Sequence, residues 1–148
     1  MRQLAKACWR GMFGDGPAYD VMCVEEMPGG FLKSRHLVRG ISGSYSGETI
    51  YFIDPATGQA GFTYYTSLGA IQSGRVDLSY GLLRFEDIRH VARDGTKLRF
   101  RGTGEVLSDG RYRSTTSQWR DEEWQLVSTV LFERIECEGW AEVEAGCG

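Results

Sequence analysis

The stretch KLRFRGTGEVLSDGRYRSTTSQW, residues 97–119, decides the fold. It holds two runs, Lys97–Leu107 and Arg111–Trp119, in which large side chains alternate with small or charged ones around Asp109-Gly110. Period-2 alternation marks strands with one buried face. An Asp-Gly pair supplies the backbone conformation of a tight hairpin. Read as a two-residue turn, Asp109-Gly110 sets Phe100 opposite Trp119, Gly102 opposite Ser117, Gly104 opposite Thr115 and Val106 opposite Arg113. That face is the expected interior. Lys97, Arg99, Arg101, Gln118 and Arg120 fall on the other face, as a basic ridge without interleaved aromatics.

The same parity extends both ways. The turn at Arg120–Glu123 sets Trp119 against Trp124, Ser117 against Leu126 and Arg113 against Val130, with Phe132 and Arg134 following on the inner row. Back through Asp94-Gly95, Leu98 meets Val91, Phe100 meets Arg89, Gly102 meets Asp87 and Gly104 meets Phe85. On this reading His90 points outward, and so does Ile88, which is apolar. A β-bulge in Leu82–Val91 would reverse that and move Asp87 and Arg89 outside.

Twenty glycines against three prolines supply the remaining punctuation. Asp15-Gly16, Pro28-Gly29-Gly30, Ser46-Gly47 and Asp54–Gly58 read as turns. They bound strands at Tyr19–Glu26, Phe31–Ile41, Glu48–Ile53, Ala60–Thr66 and Arg75–Tyr80, followed by Leu82–Val91, the quoted pair and Trp124–Ile135. Arg2–Trp9 is the one candidate for a helix, and no segment is long enough for a crossover, so the strands are expected to be antiparallel. The expectation is an all-β up-and-down meander closed into a β-barrel of 8–10 strands, since closure removes sheet edges. One domain spans 1–148, with the barrel at about 9–136 and an acidic tail at 137–148 anchored by Trp140.

Composition bounds the function. The chain of 148 residues is 41% hydrophobic and 25% charged, with a formal net charge of -3, as in an ordinary globule. No basic excess points to nucleic acid, and no apolar run approaches a membrane span. Cys8, Cys23, Cys137 and Cys147 form no short pair, so neither zinc nor dithiol redox chemistry is indicated. Met1–Trp9 lacks the apolar core of a secretory signal, so free thiols and a cytoplasmic location are expected. A disulfide from Cys8 to a C-terminal cysteine would require the termini to meet.

The derived inner face mixes Phe85, Phe100, Trp119 and Trp124 with Asp87, Arg89 and Arg113, while Gly102 and Gly104 remove volume. Buried charge is costly unless paired or wetted, so an aromatic face with polar groups and missing volume points to a ligand cavity. On the strand Phe31–Ile41 His36 shares a face with Leu32, Ser34 and Val38, and a tight Pro-Gly-Gly turn sets it opposite Val21, pointing inward. The candidate ligand-binding residues are therefore His36, Phe85, Asp87, Arg89, Phe100, Arg113, Trp119 and Trp124. The two arginines would hold a ligand carboxylate or phosphate. No catalytic or metal-ligating set is assigned, because hydrolase, zincin and nucleotide-binding motifs are missing.

Cys8-Trp9-Arg10-Gly11, the Pro28-Gly29-Gly30 turn, Tyr51-Phe52-Ile53-Asp54-Pro55 with Gly58, and the strand from Trp124 to Arg134 together resemble the lipocalin-like, calycin-type proteins, specifically their small bacterial members. The resemblance runs to about Glu136. Its opening motif is G-x-W, and Ala7 stands at the glycine position. It implies that Trp9 and Arg134 close one end of the barrel as a structural pair, and that the interior binds a small hydrophobic or amphipathic molecule. Similar haem-binding barrels take an axial histidine from near the C-terminus. No histidine follows His90 here, so no cofactor is expected. The alternatives are an isomerase or cyclase of the allene-oxide-cyclase-like type and a filled barrel that binds protein, with a homodimer as one form of partner.

Overall fold

The computed structural model describes residues 4–14, 16–40 and 43–147. Arg2, Asp15 and Ile41, which belong to the expected helix, first turn and strand Phe31–Ile41, lie outside them. Ten strands follow in chain order: β1 (Ala7–Met12), β2 (Tyr19–Glu26), β3 (Leu32–Gly40), β4 (Gly43–Ile53), β5 (Ala60–Thr66), β6 (Ile71–Ser79), β7 (Leu82–Val91), β8 (Lys97–Val106), β9 (Tyr112–Arg120) and β10 (Glu123–Ile135). Each pairs antiparallel with the next, and β1 also pairs with β10, so the meander closes into a barrel. A short helix, α1 (Trp140–Glu144), follows.

Strand β1 takes in the last three residues of the segment expected to be helical, Ala7 to Trp9, and runs on to Met12. A six-residue stretch has weak helical preference of its own, and here both sides of β1 are paired, Trp9 with Met22 of β2 and with Arg134 of β10. Without it the barrel would present two open edges. Ser46-Gly47 is likewise not a turn but lies inside β4. A Cβ at Gly47 would fall 2.2 Å from the Tyr64 ring of the neighbouring strand, so the glycine is the seat of that ring.

Both Asp-Gly hairpins differ from the two-residue reading in the same way. Leu107 N–H donates to the Arg111 carbonyl at 2.8 Å and Gly110 N–H to the Leu107 carbonyl at 3.0 Å, leaving Ser108, Asp109 and Gly110 in the loop. At the other hairpin Ala92 N–H donates to the Thr96 carbonyl and Gly95 N–H to the Ala92 carbonyl. Each aspartate accepts the backbone N–H two residues on, Asp109 from Arg111 and Asp94 from Thr96. Each glycine has a positive φ, 86° at Gly95 and 85° at Gly110. The aspartate side chain thus favours a type I turn closed by a left-handed glycine, the common three-residue hairpin.

One extra loop residue reverses every side chain beyond it. Phe100 pairs with Gln118 rather than Trp119, and Leu98 with His90 rather than Val91. Bulges then restore the original parity. In β7 the register shifts between Phe85 and Ile88, with Asp87 at a φ of 49°, so Phe85 and Ile88 both point inward. In β10 a shift between Leu126 and Ser128 returns Phe132 to the interior. The β9–β10 turn keeps its expected register, Trp119 opposite Trp124, through Asp121 and Glu122 in left-handed conformations, but both tryptophans now sit on the outer face.

Two apolar clusters fill the barrel. One joins Leu4, Trp9, Met22, Val24, Tyr112 and Phe132; the other joins Phe62, Tyr64, Val76, Leu83 and Ile88. Trp9 is buried with its indole N–H donating to the Leu4 carbonyl at 3.3 Å. Arg134 pairs with it across the strands but is exposed. Among the described residues the cation–π contacts involve Tyr19, Trp119 and Trp124, so Trp9 closes its end by packing.

All four cysteines are paired, Cys8 with Cys23 and Cys137 with Cys147. The expectation of free thiols fails because Cys8 and Cys23 are direct cross-strand partners of β1 and β2, a consequence of the missed first strand. The tail is docked. Val143, Cys137 and Trp140 pack over Cys8, Val21 and Cys23 on the outside of the barrel, and the second disulfide closes the tail on itself.

Candidate functional site

The barrel interior is divided along its axis. At the end where β2 finishes and β3 begins, the inward side chains are apolar, and an open cavity of about 370 Å³ lies on the β3–β7 side, lined by Leu32, Tyr51, Ala60, Val76, Leu78 and Leu83. The alternation of each strand places these residues: Leu32 pairs with Tyr51, Tyr51 with Phe62, and Leu78 with Leu83. At the same end Phe31, Ile53, Leu78 and Tyr80 are exposed. Large apolar side chains grouped at a cavity mouth are unusual on a surface with no partner.

Towards the other end of the barrel the inward side chains become polar. Asp20 and Tyr64 are each only 8% exposed. The His36 ring lies 3.2 Å from Asp20 through Nδ1 and Oδ2, and its centroid is 5.0 Å from that of Tyr64. With Nδ1–H donating to the carboxylate, a neutral ring keeps Nε2 as an acceptor. Asp20 Oδ1 and Tyr64 Oη have no hydrogen-bond partner among the described residues. A buried polar atom left unpaired costs about 1–3 kcal/mol, so these two atoms are sites for a water or a ligand's polar group. Tyr64 is the register partner of Gln72, whose amide lies 3.1 Å from His90 Nδ1. Both histidines of the chain therefore belong to the polar half.

Burial holds the interior phenols protonated. Tyr45, Tyr51, Tyr64 and Tyr112 are all raised above the ordinary tyrosine range, chiefly by desolvation, and the Asp20 carboxylate adds to the effect at Tyr45 and Tyr64. A raised folded-state pKa means that above about pH 10 the folded chain holds protons the unfolded chain has released, so stability falls as pH rises past that point. The expected result is that these four phenols ionise only together with loss of the β-sheet signal. Phenolate absorbance recorded alongside circular dichroism checks this. Ionisation of seven phenols in an intact barrel would contradict it.

The sequence-derived site residues divide. His36, Phe85 and Phe100 are inside, Phe85 against Phe62 and Phe100 against His90. His36 pairs with Met22 rather than Val21, and the parity still turns it inward. Arg89 and Asp87 are outside because the Arg93–Gly95 loop has three residues, which sets Arg89 opposite Arg99, and the bulge then returns Phe85 to the interior. Asp87 lies 3.6 Å from Arg99 and 3.8 Å from Arg75. Arg113 is outside and ion-paired with Glu105. Trp119 and Trp124 are outside, 5.3 Å apart in an edge-to-face pair. His90 moves the other way, from the expected outer face to the interior. Gly104 leaves no void, since a Cβ there would lie 2.1 Å from Tyr112 Oη.

Asp20, Tyr45, Tyr64 and Gln72 were not singled out by the sequence. With His36 opposite Met22 and Gly47, the inner set of β2 is Asp20, Met22 and Val24 and that of β4 is Tyr45, Gly47 and Thr49. The two-residue reading of the Pro-Gly-Gly turn, with His36 opposite Val21, turned Asp20 outward instead. Among the described residues no group of three or more His, Cys, Asp or Glu side chains is arranged to hold a metal ion, and no helix is long and apolar enough to cross a membrane. No protein-family model matches the chain, and no curated protein matches it.

Proposed function

We propose that this chain binds a small hydrophobic or amphipathic molecule at the apolar mouth of its barrel, in the manner that its resemblance to lipocalin-like proteins implies. The observation that carries this reading is the 370 Å³ cavity with its exposed apolar rim. That volume is at the lower end of the range for small-molecule sites, which favours a ligand the size of a single ring system or a short acyl chain. The unpartnered atoms of Asp20 and Tyr64 supply a polar subsite beyond it. A hydroxyl group matches either atom, as donor to the carboxylate or acceptor from the phenol.

Titration with the neutral fluorophore N-phenyl-1-naphthylamine tests the reading. Saturable binding is expected, and Ala60→Trp, which fills the cavity, is expected to weaken it by about tenfold or more, a loss of about 1.4 kcal/mol or more, while the melting temperature is retained. Equal affinity in the filled variant would refute it.

The Asp20–His36 pair beside Tyr64 supports a second reading, an isomerase or cyclase in which His36 Nε2 accepts a proton and Tyr64 donates one. Loss of turnover in His36→Gln with probe affinity unchanged would select it. The paired cysteines remove the premise of free thiols on which a cytoplasmic location rested, and support an oxidising compartment instead.

A further inference from the structure

On the outer face, strands β6 to β10 bring Ser73, Arg89, Arg99, Trp119 and Trp124 into one band. Ser73 pairs with Arg89, Arg89 with Arg99 and Trp119 with Trp124, while the Arg99 guanidinium lies 5.7 Å from the centre of the Trp119 ring. Like charges directly opposite across strands destabilise a sheet, so Arg89 against Arg99 is an arrangement that folding alone does not favour. Asp87 is the one carboxylate in ion-pair range of Arg99 among the described residues, and both are more than half exposed. Lys97 and Arg101 extend the cations along β8. Between the strands lies an open groove of about 930 Å³ lined by Arg75, Asp87, Arg89, Lys97 and Arg99. The face is thus cationic on a chain whose formal net charge is -3.

The band continues into apolar surface. Trp119 is 38% exposed, Leu126 66% and Val127 44%; Trp119 adjoins Arg99, and Leu126 pairs with Ser117, itself the partner of Arg101. We infer that the outer face of β6–β10 docks on an anionic lipid bilayer, with the arginines meeting headgroup phosphates and Trp119, Leu126 and Val127 entering the interfacial layer. Tryptophan and arginine both suit that layer, and each cation near an anionic surface contributes a substantial attraction. Single-stranded nucleic acid fits less well. Stacking platforms need uncovered aromatic faces, whereas Arg101 lies 4.8 Å from the Trp124 ring centre and Arg99 approaches both rings. Aliphatic Leu126 and Val127 also offer a base nothing. The turn at Asp121-Glu122 is acidic, so the strand faces and not the hairpin tip make the contact.

This docking is independent of ligand binding at the barrel mouth. Co-sedimentation of the full chain with vesicles of phosphatidylcholine, and with the same vesicles containing about one third phosphatidylglycerol, tests it. Binding is expected only to the anionic vesicles, and is expected to fall when salt rises from about 0.05 to about 0.5 M. Arg89→Glu with Arg99→Glu is expected to weaken it by about tenfold or more, and Leu126→Ser with Val127→Ser several-fold, each with an unchanged melting temperature. Should the double charge reversal not fold, Arg89→Ser alone is expected to weaken binding in the same direction. Equal binding to neutral vesicles, binding to neither, undiminished binding of the folded charge variant, or displacement from anionic vesicles by an oligonucleotide at equal phosphate concentration would each overturn the inference.

Discussion

Gly104→Val is expected to lower stability by about 2–3 kcal/mol and the melting temperature by roughly 5–10 °C. The cost comes from Tyr112, one of the buried side chains of the core. A Cβ at position 104 would lie 2.1 Å from its hydroxyl oxygen and 2.8 Å from Cζ, and the ring sits against Phe132, their centroids 5.9 Å apart. In an isolated strand the same change would be favourable, since valine is the better strand residue. The sign therefore reports which way Tyr112 faces, and hence whether the Ser108–Gly110 loop has three residues. Replacing Tyr112 by a smaller residue in the Gly104→Val background should return part of the loss, a coupling that a double-mutant cycle measures. A neutral or stabilising Gly104→Val would place Tyr112 outside and restore the two-residue turn.

Replacing Cys8 and Cys23 together by alanine is expected to cost about 3 kcal/mol, from the freedom the unfolded chain gains when a loop of this length is opened. The two cysteines are 15 residues apart in sequence and join the strand that closes the barrel to its neighbour. Their sulfurs also lie under the docked tail, among Val21, Val143 and Cys137, so alanine leaves unfilled volume in a packed layer. Denaturant unfolding under non-reducing conditions measures the difference. A loss under 1 kcal/mol, or four thiols titrating in the denatured, unreduced protein, would contradict the pairing.

Much of the fold was legible because its strands obey the simplest pattern. Nine strands and the antiparallel meander followed from alternation bounded by glycine-rich turns, and β2, β5 and β7 have their expected bounds. The tenth strand, β1, was missed because Ala7–Met12 carries no alternating pattern of its own and becomes a strand through pairing on both sides. The site was less legible for a different reason. Facing is a parity, so one unnoticed loop residue or bulge inverts a whole strand. Asp109 and Asp94 each lengthen a hairpin by one residue through a side-chain hydrogen bond; the first moves Trp119, Trp124 and Arg113 outside and the second moves Asp87 and Arg89 outside. Apolar Ile88 on the expected outer face was the visible sign of the second, and the bulge at Asp87 then returns Phe85 to the interior. At Phe100, on the strand from which the parity was counted, and at His36, assigned from the alternation of its own strand, the inward assignment stands in the structure.

Native mass spectrometry of the freshly purified chain, followed by solvent extraction, tests most directly whether the barrel mouth is a binding site. A single adduct of a few hundred daltons, retained by the native chain and absent from Ala60→Trp, is the predicted result. If the native chain carries nothing and takes up no N-phenyl-1-naphthylamine on incubation, or if Ala60→Trp carries the same adduct in the same proportion, the mouth is not where this protein holds a ligand.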